Sequence, residues 1–421
     1  MEYPSKLSVF PIEIIEHIID DLENDIDALT AVSETCHALL PLCRKRLFQS
    51  IDLSPRGPSS LKNLSRLLRY NPDIALYIRE LKLHLNRSLD NWDPNGPNAY
   101  ADNILTLSQV QFLQSLQIVG VDETTSYISY ASWNALHPSL RKPILELIYS
   151  PTLTELNISR FMLPFATFRS CINLSILTIE EMADYKSVDG TVGFLEVPSH
   201  PIPQLHSFIV QGVDSHRYAS ALIHFRGSDG NPTIKFDRLK MLAVYCNYVQ
   251  DVKVIEDIVK EAGEMERFVY KANTPEGCRG LAGWITVSAF STLTTLKVVF
   301  NMMWFNEHHL QSLCNELDLF PRNNVLEVLD IEMDVPTDLS SPQEQPWGRL
   351  DHVLFRNFSR LRRVVVLIFQ IGMRLPEIAQ RQQFEEATRA QFTWLRENTP
   401  VEFDISTNID RTHFDSVRLR I

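Results

Sequence analysis

Glycine is scarce in this chain, 14 of 421 residues, against a usual share of about 7%. That counts against glycine-rich phosphate loops, collagen repeats and β-barrel corners. The one glycine cluster, Gly277-Cys278-Arg279-Gly280-Leu281-Ala282-Gly283, is neither G-x-G-x-x-G nor a P-loop, because no Lys-Ser/Thr follows it. It reads as a turn. Long apolar runs are missing as well. None approaches the ~20 residues that span a bilayer, and the tightest, Val364 to Phe369, has the length of a strand. The amino end shows no basic start followed by an apolar stretch, so no secretory signal is expected. The six cysteines (36, 43, 171, 246, 278, 314) are scattered without a C-x-x-C, and a reduced, intracellular protein of cytoplasm or nucleus is expected. A basic excess is also lacking: 40 Lys+Arg stand against 52 Asp+Glu, a net charge of −12. Neither nucleic acid nor an anionic membrane is therefore an expected partner.

Catalytic signatures are equally thin. There is no G-x-S-x-G and no H-E-x-x-H. His308-His309 precedes Cys314 and Glu316 on a predicted helix, and His309 and Glu316 share a face. Zinc needs three or four converging ligands, so a solvated helix face is the expectation, with no metal and no cofactor. Asp330, Glu332 and Asp334 put three carboxylates on one face of a predicted strand. Acid–base catalysis needs carboxylates in differently tuned surroundings, and the sequence shows no such difference. An acidic recognition patch is expected instead.

What is present is an ordinary folded composition, 44% hydrophobic and 22% charged. The length exceeds the ~250–300 residues at which single cores stop growing, so two units or one repeating unit are expected. The amino-terminal stretch stands apart. Between Leu7 and Cys43 lie Glu13, Glu16, Asp20, Asp21, Glu23, Asp25, Asp27 and Glu34 with no Lys or Arg, before Arg44-Lys45-Arg46. Pro11 suits a first helical turn. Ile14, Ile15, Ile18, Ile19 and Leu22 then form one apolar stripe of 3.6 period. Asp25 or Asp27 can cap a second helix carrying Leu29, Val32 and Cys36, and a third helix starts near Pro41 with Leu42, Leu47 and Phe48. Three short helices make a poor core by themselves. Something must cover part of the stripe, either the rest of the chain or a partner.

From Ile78 onward an apolar-x-x-apolar-x-apolar template recurs. It fits Ile78/Leu81/Leu83, Leu113/Leu116/Ile118, Leu153/Leu156/Ile158, Leu174/Leu177/Ile179 and Leu205/Phe208/Val210. It fits again at Leu239/Leu242/Val244, Met265/Phe268/Tyr270, Leu293/Leu296/Val298, Leu326/Leu329/Ile331 and Leu361/Val364/Val366. At this apolar content so loose a template matches by chance roughly 35 times, so the context carries the reading. Most matches follow a breaker, and many precede a helical stretch: Pro138–Tyr149, Val252–Gly263, Trp304–Leu319 and Pro376–Asn398. Strand, turn and helix alternating every ~20–40 residues predict an irregular α/β solenoid. A doubly wound α/β sheet is the alternative. Asn86–Asn98 and Asp184–Ser199 read as insertions, and Asp334–Gln345 as an exposed loop.

Phe10-Pro11-Ile12-Glu13-Ile14-Ile15-Glu16-His17-Ile18-Ile19-Asp20-Asp21-Leu22 resembles the opening helix of an F-box: apolar residue, Pro, any residue, acid, then paired aliphatics twice. Asp27-Ala28-Leu29, Val32-Ser33, Cys36-His37-Ala38-Leu39 and Arg46-Leu47-Phe48-Gln49-Ser50-Ile51 continue the likeness. Phe10 replaces the usual Leu, and His37 lies where a tryptophan is common. The resemblance is to the fungal family that joins an F-box to irregular leucine-rich repeats. It implies a short three-helix F-box at 8–53 and an irregular leucine-rich-repeat-like α/β solenoid at 60–421. It further implies a non-catalytic receptor: the F-box binds a Skp-type adaptor and, through it, a cullin scaffold, while the repeats hold a protein substrate for ubiquitin transfer. A repeat scaffold working with the adaptor outside a cullin ligase is one rival, and an intracellular enzyme with an unrecognised site is another.

The candidate adaptor contacts are Phe10, Pro11, Ile14, Ile15, Ile18, Ile19 and Leu22, although Ile15, Ile19 and Leu22 can instead pack within the helical module. Residues between the template positions point to the other side of the strands. They include Lys82, His84, Gln117, Val119, Asn157, Ser159, Thr178 and Glu180, then Ile209, Gln211, Ala243, Val365 and others. Among them Tyr245, Val269, Lys271, Lys297, Val299, Asp330, Glu332 and Leu367 are the candidate substrate contacts. The alternative is a sheet buried on both sides.

Overall fold

The computed structural model describes residues 11–23, 25–35, 37–53, 59–86, 102–121, 131–182, 201–212, 215–227, 229–246, 252–272, 280–285, 287–301, 308–336, 346–371 and 378–408. The chain divides into two compact units. The first is Met1–Pro203 with Arg226–Thr233, and the second is Gln204–Phe225 with Ile234–Ile421.

The first unit opens with helices α1 (Ile12–Asp21), α2 (Ile26–Thr35) and α3 (Leu40–Leu47). Asp25 caps α2 as its position foretold, its Oδ1 accepting from the Ala28 N–H at 2.9 Å. Ile19, Leu29 and Cys43 form a small buried centre, with Ile15, Leu22, Val32, Leu39, Leu42 and Leu47 packed on it. Arg46 of α3 bonds the Asp20 carboxylate of α1 and reaches Gln49 Oε1 at 3.0 Å.

Parallel strands follow: β1 (Ser50–Leu53), β2 (Glu80–Asn86), β3 (Ser115–Val121), β4 (Glu155–Ser159) and β5 (Ile176–Glu180), paired in that order. The second unit holds β6 (Ser207–Gln211), β7 (Met241–Cys246), β8 (Arg267–Ala272), β9 (Thr295–Asn301), β10 (Val328–Pro336), β11 (Arg363–Ile371) and β12 (Glu402–Asn408), again parallel and in chain order. A doubly wound sheet would reverse its strand order at a switch point. Within each unit the order never reverses, so the solenoid-like alternative holds.

One hydrogen-bond device repeats at the start of the strands. The carbonyl just before a strand accepts from two successive N–H groups of the next strand's start. Arg79 O takes Gln114 and Ser115, Gln114 O takes Thr154 and Glu155, and Thr154 O takes Ser175 and Ile176. In the second unit Lys240 O takes Glu266 and Arg267, Glu266 O takes Thr294 and Thr295, and Thr294 O takes Glu327 and Val328. These carbonyls sit one residue after the first template position. All ten matches fall on strands, and the apolar residues of paired strands line up in register. Leu81, Leu116, Leu156 and Leu177 form one buried ladder, and Leu242, Phe268, Leu296, Leu329 and Val364 another. Each such side chain contributes about 1.5–3 kcal/mol on leaving water.

Two strands of the long parallel ladders fall outside the template list, as does the short pair Ala131–Ser132 with Phe161–Met162. Ser50–Leu53 had been read as the tail of the helical module, yet Ile51 and Leu53 pair with Leu81 and Leu83. The helical part ends at Leu47. β12 escaped because Pro400 takes the first apolar place ahead of Phe403 and Ile405. The predicted helix Pro376–Asn398 is two helices, Ile378–Gln391 and Thr393–Asn398, broken at the buried Phe392. Phe392 offers no capping oxygen, so the buried Asp351 supplies it: its carboxylate accepts from the Trp394 N–H at 2.7 Å and the Leu395 N–H at 3.0 Å. Asn86–Asn98 and Asp184–Ser199 fall almost wholly outside the described residues. Asp334 belongs to β10 rather than to a loop, and 337–345 lie outside.

Removing the Asp351 carboxylate leaves the buried Leu395 N–H and the partly buried Trp394 N–H without acceptors. Asp351→Ala is expected to cost about 1–3 kcal/mol of stability, with Asp351→Asn costing less because one acceptor remains. Denaturant unfolding of the purified chain checks both.

Candidate functional site

On α1 the apolar stripe splits. Ile19 is 3% exposed, and Ile15 and Leu22 pack beside it on the module's own centre. That helix side is spent internally. Ile14 is 45% exposed, Ile18 55% and Ile12 53%. Ile14 and Ile18 are one turn apart and adjoin on one face, with Pro11 exposed at the helix start. Exposed Glu13, His17 and Asp21 flank them. Phe10 lies outside the described residues.

In the second unit, strand register sorts the remaining candidates into rows across one sheet face. One row runs Ala243, Val269, Lys297, Asp330, Val365 and Asp404, and the next Tyr245, Lys271, Val299, Glu332, Leu367 and Ser406. The first strands of this face are not open. Val269 is 2% exposed and Val299 5%, and Ile209, Met241, Ala243 and Val269 form a buried cluster. Val269 and Val299 are thus interior residues, not anchors at a surface. Two strands that carry the other members of that cluster, Ser207–Gln211 and Met241–Cys246, read as near-continuous apolar runs, which is the mark of a strand buried on both faces. That signal was available in the sequence.

The partly exposed members are Tyr245, Lys271, Lys297, Asp330, Glu332, Val365 and Leu367. The Lys271 ammonium lies over the Tyr245 ring, 5.4 Å from its centre. Lys297 Nζ pairs with Glu332 Oε2 at 2.8 Å. Asp334, the third carboxylate of the series, is fully buried. The expected acidic patch is thereby reduced: one acid is neutralised, one is interior, and Asp330 remains. Burial pushes the Asp330 carboxyl above its ordinary range, against the pull of Lys297, Arg363 and Arg267. Val365 and Leu367 on β11 thus lie between Asp330 and Glu332 on one side and Asp404 and Ser406 on the other. Asp404 was out of reach of sequence reasoning because its strand was.

The corresponding face of the first unit is polar. Asp52 accepts from Lys82 at 3.2 Å and contacts His84 Nε2 at 3.0 Å. Asn157 Nδ2 donates to Glu180 Oε1 at 3.4 Å. Gln117, Thr178 and Ser159 share the same face.

The features weighed for catalysis resolve into structure. Glu316 is buried rather than solvated, and its carboxylate accepts from Gly280 N at 2.8 Å and Ala282 N at 3.1 Å. It caps the short helix Leu281–Trp284. Gly280 sits at φ 87°, and a Cβ there would meet Trp284 Nε1 at 2.8 Å. The side chains of His308 and His309 lie outside the described set. Among the described residues, no three His, Cys, Asp or Glu side chains converge as a metal would need, and no helix is long and apolar enough to cross a membrane. Burial pushes the thiols of Cys171 and Cys314 up to about 12, so neither is a ready nucleophile at neutral pH.

No protein-family model matches the chain, and no curated protein matches it. Among solved structures, the chain is similar to one from a crystal structure of the Rad7 and Elc1 complex in yeast. The identity is 12%, the coverage 92% of this chain and 91% of that one, and the TM-score 0.35.

Because the folded state raises the Asp330 pKa, its ionised form costs stability, a cost fully present above the folded pKa and absent below the unfolded value of about 3.9. Asp330→Asn is expected to stabilise the chain at neutral pH and to lose that advantage as pH falls below about 4. Unfolding midpoints of both proteins across pH 3–8 check this, and an advantage that grew on acidification would contradict it.

Proposed function

We propose that this chain is the substrate-recognition subunit of a Skp–cullin–F-box ubiquitin ligase. Residues 8–53 act as the F-box that docks a Skp-type adaptor, and residues 60–421 act as the repeat domain that holds a protein substrate. The observation that carries this reading is the split stripe on α1. One side of the helix completes a small core, while Ile14 and Ile18 stay in water beside Pro11. Two exposed isoleucines one turn apart are the anchors that a helix-binding groove takes up. Of the seven residues named for adaptor contact, the exposed Pro11, Ile14 and Ile18 are the ones this reading assigns to direct contact. Ile15, Ile19 and Leu22 hold the helix in position, and Phe10 precedes it.

For substrate, the partly exposed Lys297, Asp330, Glu332, Val365 and Leu367 offer two apolar side chains framed by charges of both signs. This suits a protein segment of mixed character, with the apolar pair giving affinity and the charges giving register. No residue of the chain needs to do chemistry in this role. Holding a substrate beside a charged carrier raises the effective concentration of its lysine.

Co-expression with a Skp-type adaptor is expected to give a stable complex. Ile14→Asp with Ile18→Asp is expected to weaken it by two to three orders of magnitude, from about 2 kcal/mol per anchor, while leaving helical content and unfolding midpoint unchanged. Ile19→Asp is expected to unfold the module instead. Undiminished adaptor binding by the double variant would refute the assignment. Cullin capture by the intact complex separates a ligase from a scaffold that uses the adaptor alone.

A further inference from the structure

The last strand of the second unit ends in an arrangement that the proposed function does not use. Among the described residues β12 has a single strand neighbour, β11. The Glu402 N–H points toward that neighbour, donating to Arg362 O at 2.8 Å. Since a strand's backbone groups alternate in direction, those of Phe403, Ile405 and Thr407 point to the open side. Two of these outward groups are occupied by side chains of the helix Ile378–Gln391. Glu385 Oε1 accepts from the Thr407 N–H at 2.6 Å and from Thr407 Oγ1 at 2.8 Å. Arg389 Nη2 donates to Ile405 O at 3.4 Å.

The pairing has a specific meaning in a parallel ladder. One residue of a further strand, lying opposite Ser406, would donate its N–H to Ile405 O and accept at its carbonyl from the Thr407 N–H. Arg389 and Glu385, one helical turn apart, supply that donor and that acceptor. Together they stand in for one residue of a further strand, and no such strand occurs among the described residues. An open parallel edge is a template for another chain, and the occupant whose edge matches is a second copy of this one. Its β1 has a single neighbour, β2, among the described residues. No described strand pairs with its other side, where a preceding strand would lie, and every strand in each unit adds in the same direction. β12 of one copy and β1 of the next thus have the edges of consecutive strands.

We propose that Glu385 and Arg389 plug the β12 edge and so keep this chain from adding head to tail to its own copies. Such a contact is heterologous, joining unlike edges and leaving one edge of each kind for the next copy, so unplugging is expected to give assemblies beyond a dimer. The proposal is independent of adaptor binding.

The test compares full-length proteins at matched concentrations by light scattering after size exclusion, with circular dichroism to confirm folding. Glu385→Ala with Arg389→Ala is expected to raise the mass above wild type progressively with concentration, and to speed deuterium uptake at the Thr407 amide at least tenfold. Glu385→Gln keeps an acceptor opposite Thr407 and is expected to behave as wild type. Adding Thr407→Pro to the double variant removes the outward N–H and is expected to return the mass to that of wild type. A folded double variant that matches wild type at every concentration overturns the proposal, as does association that survives Thr407→Pro or that stops at a dimer. Should the double variant fail to fold, Arg389→Ala alone, at an exposed position, decides: its mass must rise above wild type with concentration, and a mass equal to wild type overturns the plug.

Discussion

A carbonyl that accepts from two consecutive N–H groups of the following strand sets the geometry of each unit. It fixes where each parallel strand starts relative to the one before, and a slip of a single residue would turn every side chain to the opposite face. Because the start is fixed, the second and third template positions of one strand meet those of the next. At the second template position leucine meets leucine in the first unit, and leucine, phenylalanine and valine mix in the second. Strands separated by unequal stretches of chain can then share one core, since what lies between two strands has no bearing on register once that carbonyl is engaged.

The amino-terminal helices obey a different constraint, that of size. With Ile19, Leu29 and Cys43 at its centre, the module has room to bury one side of α1 and no more. The sequence places isoleucines around more of the helix than that centre can accept. The surplus, Ile12, Ile14 and Ile18, remains in water among carboxylates. Under the proposed function a Skp-type adaptor covers that surface. The same economy governs the carboxylates of the second unit. Glu316, Asp351 and Glu385 each accept from backbone N–H groups that the local chain leaves unmatched. Residues that might have been read as reactive acids are thereby committed to ending helices and a sheet.

The strands were legible because the apolar spacing and the breakers before it are local properties, and both survive unequal repeat lengths. β1 and β12 were missed for local reasons too: one overlaps the F-box likeness, and the other substitutes Pro400 for an aliphatic. The candidate site was legible in part. Alternation correctly put Lys297, Asp330, Glu332 and Leu367 on one face. It could not tell that Val269 and Val299 on the same face are buried, because burial of the second face depends on what packs against it. Nor could it foresee that Glu332 would be neutralised by Lys297, which lies 35 positions earlier in the sequence.

The sequence by itself determined ten strands of the parallel ladders, the alternation of their side chains between two faces, and that α1 carries more apolar surface than three short helices can hide. These follow from period, composition and chain chemistry acting over a few residues. Tertiary structure alone decided which isoleucines stay in water, which carboxylates cap helices, and how the final edge is filled. Those outcomes turn on partners far apart in the chain, Asp351 with Trp394 or Glu385 with Thr407. A backbone donor buried without an acceptor is costly, and it takes its acceptor from whichever element the fold brings within reach.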